Sequence, residues 1–222
     1  MKYELLYQPS FAVARILLEM GESIRAESGA MVSMSTSVKL ESKASGGIGK
    51  MFGRMLGGES AFLTTFTAEQ GAGEVLLAPS TPGDIMPLTV TGPVMVTSGS
   101  YLAGDVSLET ETVASMKSFF GGEGLFMMRI SGQGLLLLSA FGAIHAIQLQ
   151  AGQSYIVDTG HLVAFSDGMG YALKKAAKGL LGSLTSGEGI VAELTGPGTI
   201  YIQTRTPSGF ASWLSRLMPK SG

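Results

Sequence analysis

Cysteine is absent from all 222 residues, which excludes a disulfide framework, a thiol nucleophile and a thiolate metal site, and suits a reducing compartment. Charge is scarce as well. Asp, Glu, Lys and Arg make up 14% of the chain, against roughly a quarter in ordinary soluble domains. A net charge of −2 offers no global positive field to draw in a nucleic-acid backbone, so a nucleic-acid partner is not expected. No span of about 20 apolar residues exists; the longest greasy run, "GLLLLSAFGAIHAI", is broken by Gly and His. The start, "MKYELLYQPSFAV", carries Glu4 and Pro9 and lacks the apolar core of a signal peptide. These absences predict a cytoplasmic chain, with any membrane attachment at the periphery.

Glycine and apolar residues fill the gap. Gly accounts for 32 positions, hydrophobic residues for 45%, and the mean hydropathy is +0.32. Such a chain has many turns and more apolar surface than its few charges can keep in water, which predicts homo-oligomerisation.

Short phrases recur along the chain. "GGESAF" at Gly57, "GGEGLF" at Gly121 and "SGEGIV" at Ser186 place Glu59, Glu123 and Glu188 at intervals of 64 and 65 positions. Each is followed by a run that reads as strand, Gly-containing turn, strand. A second phrase falls out of step with the first: "RAESGAMVSMS" around Gly29, "VTSGSYLAGDV" around Gly99 and "VDTGHLVAFSD" around Gly160. Read continuously, the phrases define repeats over 57–111 and 121–168, with a third split between 186–206 and 1–42. The fold class expected is therefore all-β, a single pseudo-threefold domain closed by pairing of the N- and C-terminal segments, which would remove exposed sheet edges. Between the repeats lie inserts with apolar residues at helical spacing: "KASGGIGKMFGRMLGG", "TVASMKSFFGG" and "GYALKKAAKGLLGSL". A C-terminal amphipathic helix is expected over 207–222, with Ser208 as its start and Phe210, Trp213, Leu214 and Leu217 on one face.

Chemistry-bearing patterns are thin. The Glu triplets suit tight turns in which a carboxylate accepts backbone N–H bonds; a ring of three acids binding a cation is the alternative, short of the six or so oxygens a hard cation takes. "GGEGLF" lacks the Lys-Ser/Thr of a phosphate loop and enters a strand, so no helix N-terminus is offered to an anion. His145 and His161 have no second ligand at metal spacing and are expected to be packing residues. Arg205, on one face of "GPGTIYIQTR" with Tyr201 and Gln203, is expected in a cross-strand ion pair. No "GxSxG" phrase anchors a serine triad. No enzyme, cofactor or metal is predicted.

Charge placement says more. Lys50, Arg54, Lys117, Lys174, Lys175, Lys178, Arg216 and Lys220 fall in the inserts and the C-terminal segment, and no acid falls within 43–56, 112–120, 169–185 or 206–222. Equivalent inserts emerging at one end would make a basic, greasy face on an acidic body. Together with Trp213, these residues form the candidate lipid or partner face, suited to an anionic membrane or a membrane protein. Packing of an oligomer interface, with the Lys heads reaching out to water, is the other use open to them.

The "GGE" phrases with "SGSYLA", "VDTGHLVAF", "SGEGIVAEL" and "GPGTIYIQTR" resemble the Aim-twenty-four (altered inheritance of mitochondria) family over nearly the whole chain. The resemblance implies a bacterial-type member with β-sandwich or double-stranded β-helix repeats, similar in fold to the tryptophan RNA-binding attenuation protein, and no catalytic residues to carry over. The leading function is a non-enzymatic oligomeric scaffold or peripheral membrane adaptor. A binding module for a small ligand or nucleic acid in a groove between repeats is the alternative.

Overall fold

The structure, a computed structural model, describes residues 1–44, 62–113, 127–175 and 190–218. Short strands dominate, and their burial patterns explain why. "VARILL" alternates, with Ala14, Ile16 and Leu18 buried and Val13, Arg15 and Leu17 partly exposed, the mark of a sheet with one face in water. "GLLLLS" buries Leu136, Leu137 and Leu138 in succession, which only a sheet covered on both faces can do.

One strand, β1 (Lys2–Leu6), precedes three consecutive runs of six. The first run holds β2 (Val13–Leu18), β3 (Ser23–Glu27), β4 (Met31–Met34), β5 (Val38–Ala44), β6 (Phe62–Ala68) and β7 (Gly73–Leu77). The second holds β8 (Ile85–Val90), β9 (Val94–Thr97), β10 (Tyr101–Asp105), β11 (Glu109–Val113), β12 (Met127–Ser131) and β13 (Gly134–Ser139). The third holds β14 (Ile144–Leu149), β15 (Ser154–Asp158), β16 (Leu162–Ser166), β17 (Gly170–Lys175), β18 (Ile190–Thr195) and β19 (Gly198–Gln203), and leads into one helix, α1 (Pro207–Ser215).

All ladders between these strands are antiparallel, and they build two six-stranded sheets, β5-β6-β3-β10-β13-β8 and β11-β12-β9-β16-β19-β14. Every strand of the second sheet stands six places after its counterpart in the first. A four-stranded sheet, β1-β2-β7-β4, and a three-stranded one, β15-β18-β17, repeat the two halves of the same order. Each run thus gives three strands to one sheet and three to the next. Even a local irregularity is shared: register slips between Met31 and Ser33, between Tyr101 and Ala103, and between Leu162 and Ala164, at the same step of β4, β10 and β16.

Three cores fill the spaces between the four sheets. Ile16, Leu18, Ile24, Phe66, Leu77 and Leu137 form the first; Val96, Tyr101, Ile130, Leu136, Leu138 and Val163 the second; Leu149, Val157, Leu162, Phe165, Leu194 and Ile200 the third. Neighbouring leucines of β13 therefore serve different cores.

Two expectations are corrected. The runs span 13–77, 85–139 and 144–203, so the structural units are cut elsewhere than the recurrent phrases suggest, and each is continuous in sequence. Among the described residues no ladder joins β1 to β5 with β14 to β19, so the N- and C-terminal segments do not pair. The reason is that β1 to β5 lie in the first two sheets of the stack and β18 and β19 in the last two.

Three phenols pack into these cores, Tyr101, Tyr171 and Tyr201. Tyr101 is 2% exposed and donates to the Arg25 carbonyl at 3.2 Å. Burial pushes the Tyr171 hydroxyl from the ordinary 10 up to about 12, and that hydroxyl has no hydrogen-bond partner among the described residues. Below pH 10 these phenols keep their protons in the folded and the unfolded chain, and through them stability does not change with pH. Above it the unfolded chain loses protons that the folded chain retains, so stability falls as pH rises from about 10 to 12. Tyr171→Phe is expected to flatten that alkaline slope and to raise stability at pH 7 by up to about 1 kcal/mol, read by urea unfolding at both pH values.

Candidate functional site

The ends of the strands, more than any pocket, bring the distinctive parts of the sequence together. β3 runs into a turn at Gly29, whose φ of 89° suits a residue without a side chain, and β9 and β15 run into short 3-10 turns at Ser98–Ser100 and Thr159–His161. The next sheet neighbour begins beside each turn: Leu63 opposite Glu27, Met127 opposite Thr97, and Val191 opposite Asp158. The strands β6, β12 and β18 therefore begin at equivalent places. Antiparallel pairing of Ala103 with Ala26, and of Ala164 with Val96, sets all three turns at one end of the molecule.

The C-terminal helix leaves from that same end. Ile202, near the close of β19, lies opposite Leu162; Gln203 donates from Nε2 to the Gly160 carbonyl at 2.8 Å, and His161 Nδ1 lies 2.6 Å from the Gln203 carbonyl. Helix α1 begins at Pro207, capped by Thr206, whose hydroxyl accepts the Gly209 N–H at 3.0 Å. This moves the start from Ser208: proline is preorganised for the first helical position and needs no N–H partner there, so the cap falls one residue before it. Phe210 meets Phe141 edge-on at 5.6 Å and Trp213 at 5.6 Å. Otherwise the helix is uncovered, with Trp213 53% and Leu217, just beyond it, 65% exposed. A helix this lightly packed depends on its cap. Thr206→Ala is expected to cost α1 about 1 kcal/mol, seen as earlier fraying of its amides in hydrogen exchange while the sheets stay protected.

Of the candidate face, Trp213 and Arg216 stand exposed on this helical segment, the Arg216 Nε donating to the Ser212 carbonyl at 3.2 Å. Lys174 lies at the same end, on a strand opposite Val191 of β18. Residues 170–175, read as part of a helical insert, form β17, because Tyr171 and Leu173 alternate inward against the third core; Lys174 pairs with Glu193 of β18. The side chain of Lys175 and the whole of Lys50, Arg54, Lys117, Lys178, Lys220, Glu59, Glu123 and Glu188 lie outside the described residues. Arg205 donates to the neighbouring Thr204 carbonyl at 2.9 Å and forms no ion pair with a described residue, which corrects the expected cross-strand pair. His145 is exposed on β14.

Among the described residues the hollows are shallow. One of about 370 Å³ lies beneath α1 between Phe141, His161, Arg205, Phe210 and Trp213, and one of about 300 Å³ between units is lined by Ser80, Thr97, Ser100, Thr159 and Gln203 with no charged side chain. Neither offers an acid paired with a base. Among the described residues no group of three or more His, Asp or Glu is placed to hold a metal, and no helix is long and apolar enough to cross a membrane.

Known proteins share this fold. Residues 3–205 match the profile of a family described as mitochondrial biogenesis AIM24. The chain is 34% identical over 232 residues to an uncharacterized protein of Streptococcus pyogenes serotype M6, covering 100% of this chain and 92% of that one. An X-ray crystal structure of a Streptococcus pyogenes protein, solved by a structural genomics consortium, superposes with a TM-score of 0.84 at 32% identity, covering 98% of this chain and 99% of the other.

Proposed function

Because the chain belongs to the AIM24 mitochondrial biogenesis family, whose name carries no enzymatic activity, we propose that it is a non-enzymatic, oligomeric scaffold that docks peripherally on an anionic membrane from the cytoplasmic side. The observation that carries this reading is that the strand ends bounding three segments, which hold Lys50 and Arg54, Lys117, and Lys178 along with Glu59, Glu123 and Glu188, lie at the same end of the molecule as an uncovered aromatic helix. Apolar burial of Phe210, Trp213 and Leu217 and attraction of Lys and Arg to lipid phosphates add at such a face. Exposed bulky side chains are costly in water, and Phe210, Trp213, Leu214 and Leu217 gather on this one short segment. The acidic remainder of the body would turn away from the same surface.

Co-sedimentation with vesicles tests the proposal. Neutral phosphatidylcholine vesicles and vesicles with anionic phosphatidylglycerol are compared at low and high salt. Binding to the anionic vesicles alone, weakened by salt, is expected. Absence of binding at low salt would refute membrane docking and leave the end face as a protein contact.

A further inference from the structure

The two six-stranded sheets are each joined at a central seam, β3 with β10 and β9 with β16. By the shared strand order, a third seam would join β15 with β4. Among the described residues it is missing: β4 is the last strand of its sheet and β15 the last of its own, so neither edge has a described neighbour. Burial shows what the seam does elsewhere. Val32 on β4 is 57% exposed, whereas Leu102 on β10 and Val163 on β16, at the same step past the shared register slip, are 0% exposed. Met31 is 40% exposed against 2% for both Tyr101 and Leu162. On the other edge Tyr155 and Ile156 are 45% and 62% exposed. A row of unpaired backbone groups flanked by large apolar side chains is a template for strand pairing.

We propose that β15 of one copy of this chain pairs antiparallel with β4 of another, so that the sheet β15-β18-β17 of the first and β1-β2-β7-β4 of the second become one. The occupant is specified by the chain itself, because both internal seams already join the counterparts of these two strands. The register follows from them. Ala103 opposite Ala26 and Ala164 opposite Val96 place Ser33 opposite Val157; Gly104 opposite Arg25 and Phe165 opposite Met95 place Met34 opposite Ile156. The joined sheet has the strand order of the other two, with β1 added at its far edge. Such a contact is head-to-tail, giving a ring if the rotation closes and a filament if it does not. It rests on the scaffold reading and names its assembly surface, and it uses no residue of the basic end, so its failure leaves membrane docking standing and failure of docking leaves the assembly standing.

The absence of cysteine makes the test clean. Directly opposed residues of antiparallel strands lie at Cα separations that a disulfide can span. Met34→Cys and Ile156→Cys single variants are purified separately, mixed at equal concentration and mildly oxidised. A mixed disulfide dimer is expected at least ten times faster than a dimer of either variant alone, and faster than with Val32→Cys in place of Met34→Cys. In parallel, Ile156→Lys on this exposed position is expected to lower the solution mass measured by analytical ultracentrifugation to the 23.0 kDa of one chain, with an unchanged thermal midpoint. A wild type that sediments at that mass at 100 μM, no excess of the mixed dimer, or a disulfide forming only within the doubly substituted chain would each overturn the proposal.

Discussion

Reversing Lys50, Arg54, Lys117 and Lys178 to Glu lowers affinity for anionic vesicles at least ~100-fold. A basic residue held near an anionic surface contributes about 1 kcal/mol, and 1.4 kcal/mol is a factor of ten, so losing four approaches a thousandfold before the added acids repel the surface. Physiological salt screens part of this, hence the lower bound. All four residues fall in segments that link β5 to β6, β11 to β12 and β17 to β18, outside the strands that build the cores. The variant is therefore expected to unfold within a few degrees of the wild type. Vesicle titration followed by sedimentation reads the affinity, and a thermal melt reads the fold. Unchanged affinity in the quadruple variant would remove the inserts from the membrane contact.

Truncating Leu136 or Leu137 to Ala costs about 2–5 kcal/mol in either case, although the two side chains fill different cores. Leu136 and Leu137 are both 0% exposed, one among the residues between the two six-stranded sheets and the other among those beneath β2 and β7. If the units were independent, each substitution would unfold only its own part and leave a second transition in place. Because β13 is one wall of both cores, a single cooperative loss is expected in each variant, followed by denaturant unfolding with near-UV and far-UV circular dichroism together. Separate transitions for the two probes in Leu137→Ala would show that the cores are energetically divided.

Class and turns were legible in the sequence; connectivity was less so. Period-two alternation and regular glycine turns identify strands, and the phrases around Gly29, Gly99 and Gly160 fall on equivalent turns after β3, β9 and β15. The pairing was hidden because neighbours in sequence part company in space. β6 and β7 read as a hairpin, yet they lie in different sheets, with β6 between β5 and β3 and β7 between β2 and β4. Local pattern reports which residues are inward and carries no record of which strand lies alongside. For the same reason the open edges of β4 and β15 left no mark: Met31, Val32, Tyr155 and Ile156 look like the buried residues of their counterparts. Lys174 shows the opposite error. "GYALKK" fits either a helix face or a strand over so short a span, and partnership with β18 decides for the strand. Within the candidate face, sequence placed the exposed aromatic helix within two residues of its true start, and Thr206 was missed because a Thr before Pro reads as turn as readily as cap.

Trp213 gives the most direct test of the membrane face, since it is the chain's one tryptophan and stands 53% exposed on α1. Its emission is measured on titration with anionic vesicles, with and without bromine-labelled acyl chains. Peripheral docking through this end predicts a blue shift and quenching by the bromines, both reversed by high salt. An unshifted, unquenched spectrum while the protein co-sediments with the same vesicles would mean that the helix faces away from lipid, and that the convergence of helix and inserts at one end is not the membrane contact.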